Sequence, residues 1–193
     1  MPGDGDIYSV LAEVTKPLRD AHIPYMLVGA LAVFVHGAPR MTNDLDIVVD
    51  IRGIEVQELK TRLESLGYPT EGPEQTEFGR RIRVWHPYYP TEFFLAGLHP
   101  YHEEEFGRAA YHSVGGLEHR VIAPEDLILR KLRNLWIRRS QTDVADLLSV
   151  VASQRAKLDL TSLRGRARFF RVLEPLDEVV RLLDEREGGT PPT

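Results

Sequence analysis

The sequence predicts an α+β fold: a mixed β-sheet flanked by helices, with a helical region at the C-terminal end. Three observations carry this. Up to residue 122, short apolar runs of strand length alternate with amphipathic helical patterns. Glycine and proline mark the boundaries between them. From Pro124 onward the apolar spacing is helical only.

Each element follows from local pattern. Residues 7–21 place Ile7, Val10, Leu11, Val14 and Leu18 on one helical face, and Pro24 ends that element. Residues 25–28, Tyr-Met-Leu-Val, read as a short buried strand. Gly29 follows. Residues 30–36 are too long and too rich in alanine for a strand, so a helix is expected, stopped by Gly37 and Pro39. Residues 45–49 are a strand. Residues 54–66 form an amphipathic helix with Val56, Leu59, Leu63 and Leu66 inward. Residues 71–80 read as a polar loop, 81–85 as an alternating strand, 86–90 as a turn and 92–97 as a strand. Residues 109–122 give two short extended pieces around Gly115 and Gly116. Pro124, Glu125 and Asp126 suit the first turn of the next helix. Residues 142–154 form another, Asp159 caps a third, and Pro175 begins the last. The expected organisation is an α/β core over 1–122, a helical region over 123–186 and a disordered tail over 187–193.

Composition bounds the function. There are 193 residues, 42% hydrophobic, and no cysteine, which excludes disulfides, thiolate metal sites and a cysteine nucleophile. No apolar run reaches the roughly 20 residues of a membrane span. The first ten residues lack a signal-peptide pattern, so a soluble cytoplasmic protein without a membrane partner is expected. The net charge of −5 is uneven. Residues 120–171 hold twelve Lys/Arg against five Asp/Glu, or +7, leaving −12 for the remainder. That segment suits either a polyanionic partner such as RNA or simply solvated helix faces.

The chemistry centres on Asp44 and Asp46. On a strand, residues two apart point the same way, so these carboxylates project together, with Asp50 following on that side. Leu45, Ile47 and Val49 face the core. Two adjacent carboxylates repel and call for a cation, and oxygen ligands at this spacing suit Mg²⁺ with substrate phosphates. Solvated strand-edge aspartates are the alternative. Upstream, Gly29 and the start of its helix offer free N–H groups and positive potential to a phosphate. An anion site beside a dicarboxylate fits a nucleoside triphosphate.

Gly29-Ala30, a helix, Arg40-x-Thr42-x-Asp44-x-Asp46 and an apolar strand together resemble the polymerase-β-type nucleotidyltransferase superfamily, most closely the AbiEii toxin family and its relatives. A second region is similar: Pro124-Glu125-Asp126-Leu127, Lys131 one turn on, then Asp143 and Asp146 on a helix. The resemblance spans about residues 24–151. It implies a nucleotidyltransferase-like sheet in which Asp44 and Asp46 bind Mg²⁺, with Mn²⁺ as a substitute. Gly29, Ala30, Arg40, Thr42 and Lys131 would then serve the nucleotide. A third carboxylate belongs on a later strand, as metal ligand or base, and Glu92 holds that place although Asp is commoner there. Ala30 also departs from the usual Gly or Ser. Lys131 either neutralises phosphate or is a surface lysine. Arg40 either touches phosphate or braces its loop, while Thr42 shapes it. Asp143 and Asp146 share a helix face and serve as supporting residues, paired with Lys131 or arginines.

The implied activity is transfer of a nucleoside monophosphate from a nucleoside triphosphate to an acceptor hydroxyl. The acceptor would be a tRNA 3′ end or other RNA, a protein hydroxyl or a small molecule. The toxin branch further implies an antitoxin partner. Asp-x-Asp also matches haloacid dehalogenase-like phosphatases, but there the apolar strand precedes the aspartates, and here it follows them. A glycosyltransferase leaves the Gly29 helix and the second region unexplained. The remaining alternative is a nucleotide- or RNA-binding protein of the same fold that does not catalyse.

Overall fold

The computed structural model describes residues 5–76, 79–97 and 99–188, and these form eight helices and seven strands. They divide into two compact units. One comprises the chain up to Ala32 together with Met41–Ile122, the other Val33–Arg40 together with the chain from Ala123 onward.

The first unit is built on one mixed sheet. Its strands are β1 (Tyr25–Leu27), β2 (Leu45–Asp50), β3 (Thr70–Thr76), β4 (Gly79–Val84), β5 (Thr91–Ala96), β6 (Ala110–Val114) and β7 (Leu117–Val121), in the order β3-β4-β5-β2-β1-β7-β6. β2 runs antiparallel to β1 and parallel to β5, while β4 is antiparallel to both β3 and β5. Leu45, Ile47 and Val49 are almost wholly excluded from solvent, as are Ile82, Val84 and Phe93 on the neighbouring strands. The alternation of β4 and β5 thus sends apolar residues to one side and Arg81, Arg83 and Glu92 to the other. Helix α1 (Ile7–Asp20) buries Val10, Leu11, Val14 and Leu18, and Asp6 caps it by accepting from the Tyr8 and Ser9 N–H groups. Helix α3 (Val56–Glu64) buries Leu59 and Leu63 and packs on α1, β3 and β4.

Two elements differ from the sequence reading. The stretch expected as a polar loop over 71–80 contains β3. Its pairing with β4 holds it as a sheet edge, and an apolar side is not needed there. The register breaks between Glu71 and Glu74, around Gly72 and Pro73. Helix α4 (Pro100–Arg108) was not anticipated. His99 caps it by accepting from the Tyr101 N–H at 3.1 Å, and only Glu105 and Phe106 are buried on it, so its apolar periodicity is weak.

Helix α2 (Gly29–His36) begins in the first unit and ends in the second. The rest of the second unit is helical: α5 (Pro124–Arg138), α6 (Gln141–Gln154), α7 (Leu160–Phe169) and α8 (Leu173–Gly188). α5 packs on α6 and α7, and α8 on α6 and α7. Pro124 stands in the first turn of α5 with Glu125 and Asp126, while Asp159 caps α7 by accepting from the Ser162 N–H. α8 starts at Leu173, ahead of Pro175, and continues to Gly188, past the expected start of the tail at 187. Residues 189–193 of that tail lie outside the described residues. No described helix is long and apolar enough to cross a membrane.

Candidate functional site

Asp46 lies on β2 and is half-buried, and Asp44 stands exposed one residue before the strand begins. The Thr42 hydroxyl donates to Asp44 Oδ1 at 2.7 Å, which orients that carboxylate from within the preceding loop. Asp50, expected on the same side, is engaged elsewhere. It accepts from the Arg52 backbone N–H at 2.9 Å and from the Arg52 guanidinium at 2.7 Å, at the far end of the strand.

Gly29 is bound to Asp46 by space. The Val28 N–H donates to the Asp46 carbonyl at 3.1 Å, which brings the start of α2 alongside β2. Gly29 has φ +58°, and a Cβ there would lie 2.7 Å from Asp46 Cγ and overlap Oδ2. Glycine is therefore required twice, by conformation and by contact. The backbone at the helix start sits directly against the carboxylate. Ala30 is buried, so its contribution to a ligand is confined to the main chain.

Glu92 is the register partner of Asp46 on the parallel strand β5, and Arg83 is the register partner of Glu92 on β4. Arg81 donates from Nη1 to Glu92 Oε1 at 2.6 Å. Arg83 reaches the same oxygen from Nε at 3.2 Å and also from Nη2. Oε2 has no partner among the described residues. Burial alone would raise the Glu92 carboxyl's pKa, but the hydrogen bonds and charges of Arg81 and Arg83 outweigh it and hold it below the ordinary glutamate value. The carboxylate is therefore held ionised by its two guanidinium partners. The sequence reading did not single out these arginines. The alternation Arg81-Ile82-Arg83-Val84 was the signal that could have found them, since it puts both on one side of β4.

The other expected residues lie in the second unit and form one ion-pair network. Asp146, 1% exposed, accepts a two-pronged contact from Arg40, Nε to Oδ1 at 2.7 Å and Nη2 to Oδ2 at 3.0 Å. Lys131, 6% exposed, donates to Asp146 Oδ2 and Asp143 Oδ1, both at 2.7 Å. Burial would raise the Asp146 pKa, but Arg40 and Lys131 hold it below its ordinary value. A phosphate reaching Lys131 would have to displace one of these carboxylates. The same segment is tied to α6 by the Ala38 N–H donating to Ser149 Oγ at 2.5 Å and by Gln154 donating to the His36 carbonyl at 2.8 Å.

Among the described residues, no three His, Cys, Asp or Glu side chains are gathered to hold a metal ion. The oxygen donors nearest to such a set are Asp44 and Asp46, and the expected third ligand, Glu92, is not gathered with them. That chemistry fits Mg²⁺, which takes one or two protein carboxylates and completes its shell with phosphate and water.

The fold is that of the nucleotidyltransferases: a mixed sheet carrying the acidic strand, flanked by helices, with a helical C-terminal region. The solution structure of the antibiotic-resistance factor ANT(2″)-Ia matches with a TM-score of 0.65 at 15% identity, over 89% of this chain and 96% of that one. The crystal structure of ANT(2″)-Ia in complex with adenylyl-2″-tobramycin gives 0.61 at 16% identity, over 84% and 98%. An antigenic nucleotidyltransferase-like protein from Paracoccidioides brasiliensis gives 0.55 at 17%, over 93% of each chain. No protein-family model and no curated protein sequence matches the chain.

Proposed function

We propose that this protein is a Mg²⁺-dependent nucleotidyltransferase. The observation that carries the reading is the steric fit of Gly29 against Asp46, which puts a helix start and a carboxylate row in one place. Asp44 and Asp46 would hold the cation. When bound, Mg²⁺ supplies charge that stabilises the attacking and leaving oxygens of a phosphoryl transfer. The main chain at Gly29 and Ala30 receives the triphosphate. An acceptor hydroxyl oxygen bonds to the α-phosphorus, the bond from that phosphorus to the β-phosphate oxygen breaks, pyrophosphate leaves, and the hydroxyl proton passes to solvent. Arg40, Lys131, Asp143 and Asp146 support the second unit as its buried ion-pair network. The motif resemblance to the AbiEii family supports an RNA 3′ end as acceptor and an antitoxin partner.

The test is transfer of label from each nucleoside triphosphate, with Mg²⁺, to total cellular RNA. Asp46→Asn is expected to lower transfer by at least about 100-fold, in the range of losing one transition-state electrostatic contact. Transfer that survives this change would remove the assigned site. Binding of nucleotide without transfer to any acceptor would instead favour the non-catalytic reading, which the engagement of Glu92 by two arginines supports.

A further inference from the structure

The strip of sheet beside the carboxylates has a composition that the donor nucleotide does not use. Asp46, Glu92 and Arg83 form one cross-strand row, so Arg83 lies two strands from Asp46, roughly 10 Å between main chains. Arg81, two residues before Arg83, lies on the same side. So does Trp85, which follows the strand. The Arg83 guanidinium stands 4.8 Å from the Trp85 ring centroid, and the indole is 39% exposed. Nη1 of Arg83 has no partner among the described residues, since Nε and Nη2 both go to Glu92 Oε1. Phe94, half-buried, continues the same side on β5.

We propose that Arg83 and Trp85 form an acceptor subsite that takes a terminal nucleotide, its base on the Trp85 indole and its phosphate on the Nη1 edge of the Arg83 guanidinium, with Arg81, whose nitrogens go to Glu74 and Glu92, holding the strip in place. The assignment rests on the transferase reading, because that reading puts the reacting phosphate beside Asp46. Two physical points favour this ligand chemistry. An exposed indole beside an arginine is a stacking platform for a base. A guanidinium with a free edge suits a phosphate. A free mononucleotide and the 3′ end of an RNA share this chemistry.

Binding can be read without catalysis. The full-length protein is held with Mg²⁺ and saturating α,β-methylene-ATP, which occupies the donor side and cannot react. A 5′-fluorescein single-stranded hexa-adenylate RNA is titrated by anisotropy, and adenosine 5′-monophosphate and tobramycin are titrated as competitors. The chain has two tryptophans, so Trp136→Phe makes Trp85 the sole emitter, and its fluorescence should quench on binding. Arg83→Gln and Trp85→Leu should each weaken binding by about 10-fold or more. Trp85→Leu leaves the Glu92 ion pairs in place and guards against loss of fold. Displacement by the monophosphate at equal affinity, lost in both variants, identifies a mononucleotide acceptor; weak displacement identifies the RNA end. Affinity unchanged in both variants, or displacement of the RNA by tobramycin, overturns the subsite. Transfer that persists with subsite-independent RNA binding sinks this proposal and leaves the transferase reading standing. Subsite-dependent binding without any transfer sinks the transferase reading and leaves Arg83 and Trp85 as a nucleotide-binding site only.

Discussion

Gly29 shows how much one missing methyl group can decide. Its φ of +58° costs an L-residue about 1–2 kcal/mol, and the Asp46 carboxylate occupies the volume a side chain would need. Gly29→Ala is therefore expected to lower stability by at least ~2 kcal/mol, seen as a reduced Tm, and to abolish transfer by displacing Asp46. The importance of this glycine could be read from the sequence, because it sits between a strand and a helix ahead of Asp-x-Asp. The contact itself could not, since it depends on β1 and β2 pairing antiparallel with Val28 opposite Asp46. Glu92 has a similar history: its position on a strand was legible, but its capture by Arg81 and Arg83 required knowing that β4 is its neighbour.

At the scale of elements, legibility followed apolar periodicity. Helix α1 and strands β2 and β5 have their cores written in residues such as Leu11, Ile47 and Phe93. β3 is polar along its length and exists through main-chain pairing with β4 and contacts such as Glu74 with Arg81. No single-strand pattern reports that. The tie between α5 and α6 was visible only as a pair of aspartates near a lysine. In the structure, Lys131 is buried between Asp143 and Asp146. Removing its ammonium leaves two carboxylates facing each other with only Arg40 to compensate. Lys131→Met is expected to cost about 3–5 kcal/mol in denaturant unfolding. Its triphosphate affinity, measured under conditions where it remains folded, separates a structural lysine from a phosphate-binding one.

Across the whole molecule, charge and acid response follow from buried groups. The +7 surplus over residues 120–171 is diluted by α8 and the tail: residues 172–193 carry six Asp/Glu and two Lys/Arg, so 120–193 amounts to +7 − 4 = +3. Within the second unit, Arg155 pairs with Asp184, Arg164 with Asp177 and Arg166 with the buried Asp126. With Lys131, four of the segment's twelve Lys/Arg are thus engaged in ion pairs within the second unit. His119 is 1% exposed and hydrogen-bonded through Nδ1 to the Tyr25 hydroxyl at 2.9 Å. Burial, with a smaller push from Arg19, takes its imidazole down from 6.5 to about 4. Between those values the unfolded chain binds a proton that the folded chain refuses, so stability falls as pH drops from 6.5 to about 4. Asp146 acts lower on the scale: its depressed pKa adds stability above 3.8 that is lost as pH falls through its folded value. Tm measured from pH 7 to pH 4 should decline in the native protein and decline less steeply in His119→Phe, whatever that variant's starting stability.

The fit of Gly29 against Asp46 also has a consequence for divergence. The two positions share one volume, so neither can drift alone. A descendant that acquires any side chain at 29 must shift or shorten residue 46, and with it loses the carboxylate next to the helix start. Loss of this site in a lineage would thus leave a paired signature rather than a scattered one: glycine and aspartate kept together, or abandoned together.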